Sequence, residues 1–273
     1  MNLPNPAAAS ERTLDGRCAL VTGSTSGIGL GVARTLAARG ADLVLNGFGE
    51  PHEIEQLQGE IAAEFDVQVR YSGADMSQPS AIAAMFDQHF QKPGARLDIL
   101  VNNAGIQYVA PIVDFPPAKW DQILAINLTA AFHTMRLAIP LMRQGGYGRI
   151  VNIASAHALV ASPFKSAYVA AKHGMIGLTK TAALETAEEP ITCNAICPGY
   201  VFTPLVEHQI EDQAKAHGIA RDAVIRDILL AQQPNKRFAT VEEIGAFVAF
   251  LCSAEATSIT GAALAVDGGW TAH

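Results

Sequence analysis

A short apolar run followed at once by a glycine-rich turn constrains the fold of this chain more than any other feature. Residues 18–21 read CALV and residues 22–29 read TGSTSGIG. An apolar run without polar alternation is typical of a parallel strand covered on both faces. Gly23, Gly27 and Gly29 allow a tight turn and close approach of a ligand, and a helix beginning near Ile28 offers free amides to phosphate. A glycine cluster alone is often a plain turn, but strand, glycines and amphipathic helix together predict a dinucleotide site.

The alternation of strands and helices continues along the chain without interruption. We predict strands at 42–46, 67–72, 97–101 and 148–154, and helices at 54–65, after Ser77 and at 120–142. This order indicates an α/β fold with a single Rossmann-like, doubly wound parallel sheet and helices on both faces. We expect residues 1–13 to be a flexible tail and residues 14–273 one catalytic domain. A small helical substrate lid is expected at about 204–233.

Composition excludes several classes of function. The 273 residues carry a net charge of −7 and no basic cluster, which argues against nucleic-acid binding. The four cysteines lack metal-ligand spacing, so we expect core thiols in a reducing compartment and no metal site. We find no leader-length hydrophobic segment and no apolar run of about eighteen residues, and therefore predict a soluble cytoplasmic protein without a membrane span.

The end of the second strand decides which dinucleotide is expected. In such folds an acid at this point binds the ribose 2′-hydroxyl, and a basic residue accepts a 2′-phosphate. The chain has Asn46, Gly47 and Phe48 here, with no Arg or Lys, so we predict NAD. Phe48 either covers the adenosine or packs on the next helix. Asp75 either accepts from the adenine amino group or caps the following helix.

A hydroxyl, a phenol and two lysines fall within residues 155–174, SAHALVASPFKSAYVAAKHG. Tyr168 and Lys172 are four residues apart, so a helix places them one turn apart on one face. A neighbouring ammonium favours phenolate, and we expect Lys172 to lower the pKa of Tyr168 from about 10 and make it a proton acceptor. Ser155, at a strand end, is placed to hold the reacting oxygen. An ordinary amphipathic helix with a solvated lysine gives the same motif.

The joint order of several motifs resembles the short-chain dehydrogenase/reductase family. They are TGSTSGIG at 22–29, NNAG at 102–105, Asn127, Ser155, YVAAK at 168–172, PG at 198–199 and DGG at 267–269. The pattern covers all but the N-terminal tail. Within the family, KSAYVAAKHG, TPLVEHQI and VDGGWTA closely resemble dehydrogenases that act on small D-3-hydroxy acids.

The resemblance implies a catalytic set of Asn127, Ser155, Tyr168 and Lys172. Asn127 is implied to hold a water that links Lys172 to solvent, and Lys172 to bind the nicotinamide ribose. The NAD site is implied to comprise Gly23, Thr25, Gly27, Ile28, Gly29, Phe48, Asp75, Met76, Asn103, Ala104, Gly105, Tyr168, Lys172, Pro198, Gly199, Val201 and Thr203.

The resemblance also implies a site for the carboxylate of a 3-hydroxy acid. Its expected residues are Gln107, Ser155, His157, Lys165, Tyr168, Gln209 and Trp270. One ammonium with neutral donors suits a small anion. Trp270 matches a position that reaches the site of a neighbouring subunit, and the family is commonly a homotetramer. Close relatives have Trp where this chain has Tyr200, which implies a different pocket around the substrate methyl.

Two other functions fit the same sequence. An acyl-carrier-protein-linked 3-oxoacyl reductase shares the fold and catalytic set but normally uses NADPH. A catalytically silent dinucleotide-binding scaffold would share the fold alone.

Overall fold

The structure, a computed structural model, describes residues 12–92, 94–204, 206–207, 210–211, 214 and 218–272. Its centre is one seven-stranded sheet in the order β3-β2-β1-β4-β5-β6-β7, with every pairing parallel. The strands are β1 Cys18–Val21, β2 Asp42–Asn46, β3 Val69–Ser72, β4 Ile99–Asn102, β5 Gly148–Ile153, β6 Ile191–Pro198 and β7 Ala263–Val266. The predicted doubly wound parallel sheet is therefore confirmed.

Helices connect the strands. We number them α1 Gly27–Ala38, α2 Pro51–Phe65, α3 Pro79–Phe90, α4 Pro117–Leu124, α5 Ala130–Gly145, α6 Ser166–Glu185 and α7 Val241–Leu251. Helix α2 begins three residues earlier than predicted because Pro51 occupies its first turn, where a missing N–H leaves no bond unmade. Gly40, in the left-handed region at φ +94°, follows the end of α1.

Alternating side chains divide the core between the two faces of the sheet. Leu43, Val101 and their neighbours pack with Val32 and Leu36 of α1 and with α7. Leu20 and its alternates pack on the other face against α3, α5 and α6. Because both faces are covered, most strand positions are apolar, which is why the apolar runs predicted the strands.

The helix predicted at 120–142 is longer and contains a π-turn. Helices α4 and α5 continue into one another through Ala125–Thr129, which includes the buried Asn127. The combined stretch Pro117–Gly145 passes a membrane-span test by length and composition only. Its α5 face, including Met135 and Met142, packs in the core beneath the sheet.

The topology creates a crevice at the carboxyl edge of the sheet. The chain winds outward from β1 through β2 to β3 and then returns to place β4 on the other side of β1. Helices on either side of this reversal diverge, so open parallel sheets bind ligands there.

The N-terminal boundary differs slightly from the prediction. Arg12, expected in the tail, donates to the Phe65 carbonyl over 2.8 Å, and Leu14 is buried. Residues 1–11 lie outside the described residues.

Candidate active site

A cleft of about 860 Å³ occupies the crevice at the carboxyl edge. Every residue that the sequence assigned to the cofactor, from Gly23 to Thr203, lines it. All the predicted substrate residues line it too, except Gln209, which lies outside the described residues. Of the predicted catalytic residues, Asn127 is buried behind the wall.

The glycine turn forms a wall that side chains would fill. A Cβ on Gly29 would lie 2.1 Å from the Gly23 carbonyl oxygen, and Gly23 itself has φ +63°. Asn103 fixes this turn because its amide donates to the carbonyls of Thr22 and Gly23, each over 2.9 Å. Helix α1 begins at Gly27, so its free amides face the cleft. The cradle fits a pyrophosphate bound by backbone amides.

The Asn46 side chain hydrogen-bonds backbone groups at the end of the cleft where adenosine is expected. Its side-chain oxygen accepts from the Gly23 amide at 3.3 Å, and its nitrogen donates to the carbonyls of Ser72 and Ala74 at 3.1 and 2.9 Å. Phe48 is 70% exposed and lines the cleft, which favours the adenosine-covering alternative over packing on the next helix. Asp75 lines the cleft and also accepts from the Ser77 amide at 2.8 Å, so its carboxylate has a structural partner before any ligand binds.

Ser155, Tyr168 and Lys172 come together at the other end of the cleft. Ser155 follows β5, and Tyr168 and Lys172 lie on one face of α6. The Lys172 ammonium lies 5.6 Å from the Tyr168 ring centroid and donates to the Ile153 carbonyl over 2.7 Å. The Ser155 hydroxyl lies close enough to the Tyr168 phenol to lower its pKa. The helical spacing thus produced the predicted juxtaposition.

The expectation that the pKa of Tyr168 is lowered is wrong in this structure. Burial raises the pKa of Tyr168, and the nearby Ser155 hydroxyl lowers it only in part. Burial also lowers the pKa of Lys172, to about 8. Desolvation is the largest cause of both pKa shifts, because both charged forms lose water at this site.

Asn127 bonds the oxygen and the nitrogen of its side-chain amide to one residue, Ile106. Its oxygen accepts from the Ile106 amide and its nitrogen donates to the Ile106 carbonyl, each over 2.9 Å. The side chain therefore fixes the cleft-lining segment at Ile106 and Gln107.

His157 is buried and neutral. Burial and the neighbouring Lys165 lower its pKa to about 4. Its two ring nitrogens face hydroxyls, with Nδ1 3.4 Å from Ser155 Oγ and Nε2 2.8 Å from Ser162 Oγ. Burial lowers the pKa of Lys165, which lines the cleft near His157 without a described ion-pair partner.

Trp270 lines the cleft of its own chain. Its ring packs edge-on against His157 at 5.0 Å and stacks on Tyr200 at 5.9 Å between centroids. Asp267 orders the turn that presents it, accepting from the backbone amides of Gly269 and Thr271. Tyr200, noticed in the sequence only as a departure, is thereby part of the substrate wall.

Sequence reasoning missed several other lining residues. They are small or apolar and carry no chemical signal of their own, and include Ser26, Gly47, Ala74, Ile126, Ile153 and Ala154. The rule that ligands lie at the carboxyl ends of strands identifies Ile153, the last residue of β5, and Ala154, which follows it.

The described part of the predicted lid has a small core of its own. Val206, Ile210 and Val224 are buried together, and Pro204 and Val206 also line the cleft. Among the described residues, no group of three or more His, Cys, Asp or Glu side chains is placed to hold a metal.

The chain matches one family model and is similar over nearly its whole length to proteins of known activity. Residues 23–271 match the family model described as enoyl-(acyl carrier protein) reductase. The chain is 56% identical to a D-beta-hydroxybutyrate dehydrogenase of Rhizobium meliloti, covering 94% of this chain and 99% of that protein. It is 54% identical to a D-beta-hydroxybutyrate dehydrogenase of Cupriavidus necator, covering 95% and 100%.

A solved structure extends the likeness to three dimensions. L-sorbose reductase from Gluconobacter frateurii, complexed with NADPH and L-sorbose, superposes with a TM-score of 0.90 at 30% identity. The match covers 97% of this chain and all of that one.

Proposed function

The chain belongs to the short-chain dehydrogenase/reductase family, and from this premise we propose that it oxidises D-3-hydroxybutyrate reversibly to acetoacetate with NAD. The observation that carries the proposal is that Ser155, Tyr168 and Lys172 line one cleft together with Lys165, next to the glycine cradle. Lys165 has no ion-pair partner among the described residues. The high identity to the two hydroxybutyrate dehydrogenases supports the same substrate.

Tyr168 acts as the general base in the oxidation. Its phenolate takes the proton of the substrate hydroxyl, and Ser155 donates to the same oxygen as it becomes a carbonyl. When bound, the nicotinamide supplies the hydride acceptor. The Lys172 ammonium holds the nicotinamide ribose, whether or not it keeps its hydrogen bond to the Ile153 carbonyl. Its positive charge also stabilises the Tyr168 phenolate. Asn127 fixes the adjoining wall, and its π-turn main chain offers the water site of the proton relay.

The carboxylate of the substrate binds at the Lys165 side of the cleft. Lys165 supplies the charge, and Gln107 and Gln209 supply neutral donors, with His157 and Trp270 shaping the wall. A partly buried ammonium attracts a small anion more strongly than an exposed one because less water screens it. Residues of the 204–233 segment close over the bound substrate and exclude water.

We assign NAD as the cofactor. The described cleft-lining residues include two cations, Lys165 and Lys172, and both belong to the stretch that carries Tyr168. None stands near Asn46, Gly47 or Phe48, where a 2′-phosphate would need one. The L-sorbose reductase was solved with NADPH, and the experiment compares both cofactors.

The test is a steady-state panel with purified protein. D- and L-3-hydroxy acids of increasing length are supplied with NAD or NADP, and reduced cofactor is followed by absorbance. We expect the D-isomer of 3-hydroxybutyrate with NAD to give the highest kcat/KM. Absence of NADH formation from that substrate refutes the proposal, and a strong preference for NADPH in the reverse direction favours the carrier-protein reductase. No turnover with any member, despite NADH binding, favours the silent scaffold.

We further propose a cytoplasmic homotetramer. The surface retains large apolar side chains, among them Phe132, Leu184 and Phe250, that subunit contacts would cover. Sedimentation equilibrium measures the assembly, and a monomer at micromolar concentration contradicts it.

A further inference from the structure

Gln233 is a buried polar side chain directly behind the aromatic wall of the cleft. It is 1% exposed and lies outside the cleft lining. Its side-chain oxygen accepts from the backbone amide of Tyr200 over 3.1 Å. Its nitrogen donates to Asn235 Oδ1 over 3.2 Å and to the Arg237 carbonyl. This amide therefore ties the peptide that carries Tyr200 to the turn at residues 233–237.

The backbone before Tyr200 leaves room for this contact. A Cβ on Gly199 would lie 2.5 Å from the Gln233 side-chain oxygen, closer than two such atoms can approach. The oxygen thus occupies the space that a side chain at position 199 would need. A buried amide packed this closely and bonded at both ends holds its partner in one position.

The same turn also supports Trp270. The Asn235 amide donates to the Gly268 carbonyl over 3.2 Å, and a Cβ on Gly268 would overlap the Asn235 side chain. Gly268 and Gly269, at φ +60° and +91°, lead directly into Trp270. The Trp270 ring stacks on Tyr200 at 5.9 Å between centroids, with the ring planes 6° apart. The turn at residues 233–237 therefore contacts the backbone behind both stacked rings.

We propose that Gln233 is a positioning residue for the substrate, which sets the place of the Tyr200–Trp270 stack through its bond to the Tyr200 amide. The inference rests on the proposed dehydrogenase function. It gives a role in substrate fit to a side chain that does not itself reach the cleft and that no sequence motif indicated.

Other bonds hold the cofactor side of this loop without Gln233. The Gly199 amide donates to the last carbonyl of β7 over 3.0 Å, and the Phe202 amide donates to the Ala239 carbonyl over 2.9 Å. Losing Gln233 would therefore release the Tyr200 amide while the flanking, cofactor-lining backbone keeps its own partners. The expected signature is a change in substrate KM without a change in NADH affinity.

The experiment compares two substitutions at this position with a matched control. Gln233→Met has nearly the same length and removes every hydrogen bond of the side chain, whereas Gln233→Glu keeps an oxygen that accepts from the Tyr200 amide. Gln58→Met is the control, because Gln58 donates to the Val69 carbonyl over 3.0 Å from α2, away from the cleft.

The kinetic result should separate the variants. For Gln233→Met we expect KM for 3-hydroxybutyrate to rise about fivefold, the equivalent of one lost hydrogen bond, with kcat within about twofold. Gln233→Glu should restore KM to within about twofold of wild type, although it loses both donated bonds and some stability. Gln58→Met should lose stability alone. Fluorescence titration should give the wild-type Kd for NADH in all three.

A second measurement needs no substrate. The chain has two tryptophans, so Trp120→Phe, a change in α4 outside the cleft, leaves Trp270 as the reporter. In this background Gln233→Met should make the Trp270 fluorescence of the free protein more accessible to acrylamide quenching, because the stack is released. Gln58→Met should leave the quenching unchanged.

Each other result has a definite meaning. A loss of stability in Gln233→Met with unchanged KM and unchanged quenching overturns the proposal, because a merely structural role predicts that outcome. Equal rises in KM in Gln233→Met and Gln233→Glu overturn the role of the Tyr200 bond. If Gln233→Met folds poorly, Asn235→Ala, which removes an acceptor of the Gln233 nitrogen, should raise KM and quenching in the same direction, and no change in either overturns the proposal. Wild type inactive on 3-hydroxybutyrate refutes the proposed function alone, since the quenching comparison still stands and KM is then measured with the substrate that the panel selects.

Discussion

Replacing Gly29 by Ala should separate the cofactor cradle from the rest of the fold. The new Cβ would lie 2.1 Å from the Gly23 carbonyl oxygen and 2.5 Å from Asn103 Nδ2, against about 3.5 Å for an ordinary contact. Neither atom can move aside freely. The Gly23 oxygen belongs to the backbone, and Asn103 Nδ2 is hydrogen-bonded to that oxygen over 2.9 Å. The turn must therefore move by more than an ångström.

The magnitude follows from two effects. Overpacking a tight site costs about 1–3 kcal/mol, and each displaced hydrogen bond of Asn103 contributes about 0.5–1.5 kcal/mol. If about 2 kcal/mol of this falls on cofactor binding, Kd for NADH rises about thirtyfold. The remainder lowers the free energy of unfolding.

The assay is fluorescence titration with NADH together with urea unfolding of the free protein. Gly59→Ala is the matched control, because Gly59 lies in α2 with no heavy atom within 4 Å of an added Cβ. It should leave Kd unchanged and stabilise the fold by about 0.5–1 kcal/mol. Wild-type NADH affinity and stability in Gly29→Ala would refute the assignment of this turn as the pyrophosphate cradle.

Three other outcomes are expected. Tyr168→Phe should keep NADH binding in titration and lose at least a hundredfold in kcat, since it deletes only the proton-transferring hydroxyl; unchanged turnover removes Tyr168 from the mechanism. Lys165→Met should mainly raise KM for 3-hydroxybutyrate, and in wild type KM should rise with pH as the Lys165 ammonium, whose pKa burial lowers, becomes neutral; an equal loss toward uncharged alcohols contradicts the carboxylate role. The pKa of His157 is about 4 in the folded protein and about 6.5 unfolded, so only the unfolded chain gains its proton between these values and stability falls as pH falls. Because of this group, the free energy of unfolding measured in urea should be about 2–3 kcal/mol lower at pH 4.5 than at pH 7. His157→Gln should remove this part of the difference between the two pH values. An unchanged difference in that variant contradicts the assignment.

Local patterns carried most of the fold prediction. Buried parallel strands leave apolar runs, and glycine positions are dictated by close backbone approach, so β1, β2 and the turn at Gly23 were predicted to within a residue or two. The π-turn at Asn127 was not, because inserting one residue in a helical stretch changes the hydrogen-bond register without changing the apolar pattern.

The candidate site divides in the same way. Helical periodicity alone placed Tyr168 beside Lys172, whereas the direction of the Tyr168 pKa shift depends on how much water the folded chain removes from both groups. The partners of His157 are likewise set by the loop that brings Ser162 to its ring.

The sequence by itself determined the class of fold, the cradle and the identity of the reacting groups, because these depend on residue type and short spacings along the chain. Only the tertiary structure decided that Trp270 lines the cleft beside His157, that Asn127 bonds the backbone of Ile106, and that His157 faces two serines. Those outcomes depend on which distant segments pack together and which polar atoms remain to be satisfied once water is excluded, and no local pattern records either.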